Sequence, residues 1–422
     1  MKKIVLSLAG VLAATAFAPE AAAVPAFARQ TGMACTACHF QHFPVLNSFG
    51  RAFKAAGYTM MGAQGKVEGE HLSIPDTLNM SMLIKLRYQK DNTAGTANTK
   101  IAAPTRGEGR FDFPDEFVIL SGGRVAENVG YFVEMTMGGS AATMGSPNFR
   151  LPFAFDAGGA KLSVVPFWTA DAGPGFGYEL SSNGIIKANR WTEHGPQSSA
   201  VAYVAGANAG GAAGGGAFGF AFVAQNDMGY INLTKFASNS ATGNGRISPE
   251  SNYYRLAVTP TVGDWSLVGG IGGMSGSSWA GVAATENATK QTFIDVQGQG
   301  VVAGKDLSLY AAYAKAPCGT AAAPNEYNPT ACGAGAPGDR KAFSIGADYS
   351  FIPHVLSVGA AYLNGKDGTV VGADGDNVWT VSAVYDLYQN VALHAVYSKY
   401  SGSAHTAATV NNLTTLMLEA AW

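Results

Sequence analysis

The chain has 422 residues, a formal net charge of −2 and a charged fraction of only 13%, with 54 glycines and 11% aromatic residues. A soluble protein of this length usually has about twice that charged fraction, so the composition argues against a set of ordinary soluble domains. The near-neutral charge, without any basic run, excludes nucleic acid as a partner.

The first 23 residues have the three parts of a secretory signal peptide. Lys2-Lys3 form the charged start, residues 4–17 the apolar core, and Ala21-Ala22-Ala23 a cleavage site of small residues, with Ala16-Phe17-Ala18 as the alternative site. The mature protein would begin near Val24. No later stretch holds about 18 uninterrupted apolar residues, so the sequence predicts no transmembrane helix.

The motif Cys35-Thr36-Ala37-Cys38-His39 follows closely behind that signal. Two thiols two residues apart add to the two vinyl groups of one haem, and the next imidazole binds the iron as its proximal ligand. The sequence therefore predicts one covalent haem c, attached through Cys35 and Cys38 and ligated by His39.

The second axial ligand of that iron stays open in the sequence. Met60, with Met61 beside it, lies about twenty residues further on, and a thioether there would raise the potential. His71 is the next candidate and would lower it, whereas His42 is too close to His39 to reach the other face of the same haem. Met60 is favoured over His71 and over an open or water-filled position.

Residues 24–74 form the predicted haem segment, which is too short to bury a haem on all sides. Pro44 to Ala56 is predicted as one helix, with the proline in its first turn and Gly57 as its stop. Arg51 and Lys54 are interpreted as solvated surface charges, with haem propionates as the alternative partners. The residues at helical spacing that would pack on the porphyrin are Leu46, Phe49 and Phe53. A segment this small would be stabilised inside a partner, and the barrel described next is the available one.

From residue 75 to 422 the chain alternates apolar and polar residues over stretches of about ten, which is typical of transmembrane β-strands. In one stretch Phe343, Ile345 and Phe351 alternate with polar residues such as Asp348. Strands in lipid must pair every backbone group, so the sheet has to close. The sequence predicts an all-β fold, a transmembrane antiparallel barrel with the short helical haem segment plugging its lumen.

The connections favour a barrel of the outer-membrane kind, which has short periplasmic turns and long external loops. Short turns are predicted at Val262-Gly263, Gly304-Lys305, Ile352-Pro353 and Tyr388-Gln389. Long loops are predicted at 91–109, 226–250, 274–289, 316–340, 365–376 and 401–411. Counting back from Trp422 gives an even number of strands, most simply sixteen, with fourteen or eighteen as alternatives because the region 150–200 is irregular. A sixteen-strand barrel is wide enough for an aqueous interior. The residues assigned to the lumen, interpreted as a hydrated wall, are Lys85, Arg87, Glu134, Arg255, Asp348, Asp386, His394 and Glu419.

Cys318 and Cys332 are the two cysteines outside the haem motif, and they bracket a loop rich in proline and alanine. In an oxidising compartment they are predicted to form a disulfide, worth roughly 3 kcal/mol in the chain-entropy model. Two unpaired thiols are the alternative.

The run from Ala23 to Gly32, leading into the haem motif, resembles the fused monohaem cytochrome–porin family of iron(II)-oxidising bacteria. Residues from Pro44 to Tyr58 are similar to the continuation of that family's motif. The resemblance is confined to this N-terminal stretch. It implies haem attachment at Cys35 and Cys38, iron ligation by His39, and electron transfer from iron(II) at the cell surface to periplasmic carriers.

These features together predict an electron-transfer conduit in the outer membrane of a Gram-negative bacterium, embedded in its lipid. The haem would accept electrons from an extracellular donor such as iron(II) and pass them to a periplasmic c-type cytochrome or another carrier. An iron(II) oxidase activity would follow if iron(II) is the donor. The alternative is a diffusion porin whose haem segment is a structural plug; a soluble periplasmic haem sensor is disfavoured by the strand pattern.

Overall fold

The structure, a computed structural model, describes residues 25–43, 45–93, 106–138, 147–170, 172–180, 199–205, 216–239, 249–279, 286–328, 332, 338–405 and 411–422. The predicted signal peptide at 1–23 and Pro44, the predicted start of the haem-segment helix, lie outside these ranges.

The described helices are short. They are α1 (Pro25–Thr31), α2 (Ser48–Ala55) and α3 (Ala200–Ala205), and single 3₁₀ turns lie at Cys35–Ala37, Arg106–Glu108 and Pro174–Gly177. None of the helices in the described ranges is long and apolar enough to cross a membrane.

Two small hairpins lie beside the main sheet: β1 (Lys66–Gly69) pairs with β2 (Leu72–Pro75), and β14 (Ser277–Trp279) pairs with β15 (Glu286–Ala288). The remaining strands form the main sheet: β3 (Met80–Asp91), β4 (Arg110–Ala126), β5 (Val129–Gly138), β6 (Pro147–Arg150), β7 (Phe153–Ala157), β8 (Ala160–Thr169), β9 (Gly216–Asn226), β10 (Gly229–Asn239), β11 (Ser251–Val258), β12 (Thr261–Val262), β13 (Trp265–Ser275), β16 (Gln291–Val302), β17 (Lys305–Ala316), β18 (Arg340–Ile352), β19 (Leu356–Lys366), β20 (Gly375–Tyr388), β21 (Val391–Ser401) and β22 (Asn412–Ala421).

The main sheet is a closed antiparallel barrel, because its last strand, β22, pairs with its first, β3. Segments β6 and β7 both pair with β8, and β11 and β12 both pair with β13. The eighteen strand segments in the described ranges therefore make a wall of sixteen strands. The predicted fold class and strand number are confirmed.

The wall has an apolar outer face and a mostly polar inner face. Trp379 is 57% exposed and Ile345 49%, whereas Arg255 and Asp348 on the inner face are almost completely buried. Of the residues assigned to the lumen, Glu134 and Asp386 are half-buried and the other six are buried. This alternation places the apolar side chains where lipid would lie and the charges in the interior.

Short turns join the strands at one end of the barrel, among them 303–304, 353–355 and 389–390. The wall also begins at Met80 and finishes at Ala421 at this end, which we call the short-turn end. The predicted long loop at 226–250 is wrong, because strand β10 occupies Gly229–Asn239 after a tight turn at 227–228. Tyr230 and Phe236 are buried in β10 while Ile231 is exposed, an alternation like that of the neighbouring strands.

Candidate functional site

The two cysteines of the haem motif lie on the 3₁₀ turn Cys35–Ala37 and on the residue that follows it. The amides of Cys38 and His39 both donate to the carbonyl of Cys35, at 3.1 and 2.9 Å. Both thiols are half-buried, and burial, together with the neighbouring Cys35, raises the pKa of the Cys38 thiol. The raised pKa favours the protonated form of Cys38, which lies directly after the compact turn.

Asn47 joins this turn to helix α2. Its side-chain amide donates to the carbonyls of Thr36 and Ala37, and its Oδ1 accepts from the amide of Gly50 at 2.8 Å. Its backbone amide donates to the carbonyl of Cys38 at 3.0 Å. Asn47 thus caps α2, and the predicted start at Pro44 is wrong because the side chain of Asn47 fixes the first helical residue at Ser48.

Helix α2 crosses the haem-motif turn at very short range. A Cβ on Gly50 would lie 2.1 Å from the carbonyl oxygen of Cys38, so only glycine permits this approach. The helix ends at Ala55, one residue before the predicted end at Ala56, and Gly57, the predicted stop, follows with a positive φ of 71°. A rigid support thus lies directly behind Cys38.

The three residues predicted to pack on the porphyrin have different surroundings. Leu46 lies before α2 and forms an isolated antiparallel β-bridge with His39. Phe49 is half-buried. Phe53 is buried in an aromatic cluster, with ring centroids 5.2 Å from Phe27 and 5.8 Å from Tyr58. Phe53 therefore stabilises the fold of the N-terminal segment itself.

Arg51 is buried and Lys54 half-buried, each with a hydrogen-bond partner in the protein, so the interpretation of both as solvated surface charges is wrong. Arg51 is 6% exposed and donates to Gln299 and Ser266 of the barrel wall, and burial lowers its pKa to about 10. Lys54 donates to the carbonyl of Glu179, and burial lowers its pKa well below the usual range. The sequence could not show this, because the partners are more than a hundred residues away.

Gln41 and His42 hold the other side of the haem-motif loop against the wall. Gln41 Nε2 donates to the carbonyls of Asp306 and Asp348 at 3.0 and 2.8 Å, and its Oε1 accepts from Ser308. His42 Nε2 lies 4.0 Å from a carboxylate oxygen of Asp348. These contacts fix the loop at the short-turn end of β17 and β18.

On the opposite side of the short-turn end, Gln30 anchors the N-terminal part of the chain to the barrel. Its side chain is fully buried and donates to the carbonyls of Tyr58 and Met60, each at 2.7 Å. Its Oε1 accepts from Asn79 and from the backbone amide of Arg124, each at 3.1 Å. Residues 25–62, which we call the N-terminal segment, therefore cross the short-turn end from β3 and β4 to β16–β18.

The candidates for the second axial ligand lie at the edge of this segment or outside it. Met60 is 38% exposed, and Met61 is half-buried. The side chain of His71 is 93% exposed on the β1–β2 hairpin, beside Glu70. His71 is thus a solvent-facing residue of a small hairpin. The backbone of Met60 is fixed by the hydrogen bond from Gln30 to its carbonyl.

The donor set of the turn fits a c-type haem. Cys35, Cys38 and His39 lie within five consecutive residues, joined by the hydrogen bonds from the Cys38 and His39 amides to the Cys35 carbonyl. The His39 ring packs against Phe43 with centroids 5.4 Å apart. Cys35 and Cys38 would hold the haem through thioethers and His39 would bind its iron. The described residues contain no group of three His, Cys, Asp or Glu side chains that would hold a bare metal ion.

Further inside the lumen, residues 172–180 form a second inserted segment, held by Glu179. This carboxylate accepts from Tyr230 at 2.5 Å and from Tyr253 at 2.8 Å, and lies 3.2 Å from Arg255. Asp295 pairs with the other side of the same guanidinium at 2.5 Å. Of this fully buried charge cluster only Arg255 is predicted from the sequence, because Glu179 lies outside any regular strand.

Helix α3 lies in the lumen beyond that segment, packed on β17 and β18. Its first amide, of Ala200, donates to Ser344, and the hydroxyl of Tyr203 donates to Asp376. In the loop that follows β17, Cys318 and Cys332 form a disulfide with their Cα atoms 5.5 Å apart.

No protein-family model matches this sequence, and no curated protein matches it. Solved structures with a similar fold include OmpT of Vibrio cholerae, at 13% identity over 85% of this chain and 100% of that chain, with a TM-score of 0.46. The outer membrane protein opdK from Pseudomonas aeruginosa is 10% identical over 81% of this chain and 98% of that one, with a TM-score of 0.44. A mutant Rh. blastica porin is 11% identical over 82% and 100%, with a TM-score of 0.44.

Proposed function

We propose that this protein is a haem-bearing outer-membrane barrel that carries single electrons between an extracellular donor and a periplasmic carrier. The observation that supports this most directly is the anchoring of the haem-motif turn inside the barrel mouth. Gln30 binds one side of the mouth and Gln41 and Arg51 the other, all through buried hydrogen bonds. A plug without a redox role would need none of the thiols and imidazole that this turn presents.

The protein's own residues would place and orient the cofactor. Cys35 and Cys38 would hold it covalently, His39 would supply a nitrogen to the iron, and Asn47 would keep the turn in shape. A haem held here supplies a one-electron couple, with a potential set by its axial ligands and by burial. Placement and the polarity of the surroundings are thus the contributions of the chain.

The barrel supplies the route through the membrane. Its apolar outer face fits the hydrocarbon core, which is about 30 Å thick and too wide for efficient transfer through lipid. A haem fixed at the short-turn end would shorten the distance on the periplasmic side. By the resemblance of the motif, iron(II) is the proposed donor and a periplasmic c-type cytochrome the proposed acceptor.

The test uses purified protein in proteoliposomes that contain an entrapped, membrane-impermeant oxidant. External iron(II) should reduce that oxidant only when the wild-type protein is present. The Cys35→Ala/Cys38→Ala variant is the matched control, since it keeps the barrel and loses the covalent attachment. Equal rates for the two proteins, or no thioether-linked pigment on a denaturing gel of the wild type, would overturn the proposal.

A diffusion porin with a structural plug is the second candidate. The polar and charged inner face of a sixteen-strand wall favours it, because such barrels leave an aqueous channel. The two inserted segments held by Arg51 and Glu179 favour a closed lumen instead. Planar-bilayer recordings separate them: open, multi-ion conductance of the wild type supports the porin, and its absence supports the conduit.

A further inference from the structure

We propose that the β1–β2 hairpin is the docking surface for the electron carrier at the short-turn end, and that this carrier is a soluble protein with an apolar patch ringed by lysine and arginine. The inference rests on the proposed function, since the electron-carrying role of the partner comes from there. It gives that partner a defined place on the protein, an apolar face of the hairpin surrounded by carboxylates.

One face of the hairpin is apolar and exposed. The pairing sets Val67 opposite Ile74 and Gly69 opposite Leu72, so these residues share a face. Val67, Leu72 and Ile74 are 46%, 45% and 40% exposed, in that order. A two-stranded hairpin is marginally stable by itself and is normally stabilised by packing such a face on other elements. Here the face remains available to a partner.

The polar face of the hairpin is the one turned to the barrel. Glu68 and Ser73 pair on this face, and Ser73 Oγ accepts from the guanidinium of Arg124, on β4, at 3.1 Å. The backbone amide of Arg124 donates to Gln30 of the N-terminal segment at 3.1 Å. The hairpin thus has its polar face held by the protein and its apolar face directed outward. Apolar side chains grouped and exposed in this way mark an interaction site.

The base of the hairpin is packed on the chain that leads into the haem motif. The amide of Gly62 donates to the carbonyl of Gln30 at 3.0 Å, and a Cβ on Gly62 would overlap the carbonyl oxygen of Thr31. Thr31 precedes Cys35 by four residues. A partner held on the hairpin would therefore lie beside the haem-motif turn, where an electron carrier would have to dock.

The hairpin and its surroundings are acidic. Residues 66–76 have one lysine and three carboxylates, which gives them a net charge of −2 with their histidine neutral. These charged residues are Lys66, Glu68, Glu70 and Asp76. Further carboxylates are exposed in the described turns of the short-turn end: Glu127, Asp227 and Asp264. A partner with positive charge around its contact patch would be steered to this surface and oriented on it.

Two other occupants fit this surface less well. An anionic lipid surface attracts basic segments, and it would repel the carboxylates of the hairpin. A second copy of the chain would bring the same face and the same carboxylates, so like charges would meet across a two-fold contact. A soluble basic protein avoids both costs. A few apolar side chains within a charged rim are enough for the small interfaces of transient redox encounters.

The experiment measures binding of mitochondrial cytochrome c, a soluble basic c-type cytochrome, to the full-length protein in lipid nanodiscs by surface plasmon resonance. We expect Leu72→Ser/Ile74→Ser to weaken binding by about tenfold, because the apolar contact is removed. Val370→Ser/Val371→Ser is the matched control, since both valines are exposed at the long-loop end, and it should bind as the wild type does.

A second pair of variants tests the charge. Glu70→Gln/Asp76→Asn should weaken binding at low salt and approach the wild type at high salt, where the attraction is screened. Glu286→Gln removes an exposed carboxylate at the other end of the barrel and should bind as the wild type does. Cytochrome c with acetylated lysines has lost its positive charges and should bind weakly to every form.

Absence of wild-type binding, equal binding by Leu72→Ser/Ile74→Ser, or binding that salt leaves unchanged would overturn the inference. Protection of residues 66–75 from hydrogen exchange in nanodiscs that is as strong without the probe as with it would identify the membrane as the occupant and overturn it too. A wild-type dimer that Leu72→Ser/Ile74→Ser dissociates would do the same in favour of a second copy.

The proposed function is tested separately. The hairpin variants should keep the covalent pigment and should pass electrons from iron(II) to the entrapped oxidant at the wild-type rate, because that assay contains no protein carrier. Failure of the wild type in that assay would overturn the proposed function, whereas loss of the docking surface would leave it unaffected.

Discussion

Arg51 Nη1 donates to Oε1 of Gln299 at 3.0 Å, and this bond joins helix α2 of the N-terminal segment to strand β16 of the barrel. Both side chains also donate to the carbonyl of Leu46, at 3.0 and 2.9 Å. The backbone of Leu46 also forms an isolated β-bridge with that of His39. Two residues 248 positions apart thus fix the backbone next to His39, the proposed proximal ligand.

Replacing Arg51 with alanine should release this side of the N-terminal segment. The change leaves Gln299 and Ser266 without their buried donor, which costs about 1–3 kcal/mol. We expect cleavage within residues 25–62 by an added protease to become faster, while the barrel itself stays resistant. Lys66→Ala, which removes only an exposed ion pair with Glu68, serves as the control and should leave the rate unchanged. Equal protection of Arg51→Ala and wild type would contradict this role.

The close approach of Gly50 to Cys38 makes a second prediction. A methyl group at position 50 overlaps the Cys38 carbonyl, so Gly50→Ala should move α2 away from the haem-motif turn. We expect less covalently bound haem per barrel, measured by pigment staining against total protein. Gly138→Ala is the matched control, because a Cβ there meets nothing within 4 Å. A haem content equal in both variants would show that the turn tolerates the displacement.

The haem motif and Arg51 show which features can be predicted from the sequence alone and which cannot. The spacing of Cys35, Cys38 and His39, and the alternation of strands such as β18, depend on neighbours along the chain and were predicted. The burial of Arg51 depends on Gln299, which no local pattern connects to it. Strand β10 is not predicted from the sequence, because Asn226 and Gly229, which bound its tight turn, also fit an ordinary polar loop.

Glu179 should hold residues 172–180 in the lumen and so limit the conductance of the barrel. Glu179→Gln removes the negative charge that faces Arg255 at 3.2 Å, and breaking one side of a buried ion pair costs about 3–5 kcal/mol. We expect residues 172–180 to leave the wall and the single-channel conductance in planar bilayers to rise. Glu68→Gln, on the exposed β1–β2 hairpin, should leave the conductance as in the wild type. An unchanged conductance in Glu179→Gln would mean that other contacts hold the segment.

Glu326, in the loop after β17, should make that loop sensitive to pH. Burial raises the pKa of its carboxyl to about 7, an effect that the hydrogen bond from Ser238 partly offsets. Because the folded loop binds the proton more tightly than the unfolded chain, this contribution to loop stability is full below pH 4.5 and is lost as the pH rises through about 7. The difference is about 3 kcal/mol.

Hydrogen exchange of residues 317–328 at acidic and at mildly alkaline pH measures this contribution, after correction for the intrinsic exchange rate. Protection in the wild type should fall as the pH rises, because ionised Glu326 is buried at a cost. Glu326→Gln keeps a neutral side chain at both pH values and should show nearly constant protection. Glu286→Gln removes an exposed carboxylate and should follow the wild type. If Glu326→Gln lost protection as steeply as the wild type, the pH dependence would have to come from another group, and the buried carboxyl would be excluded as its source.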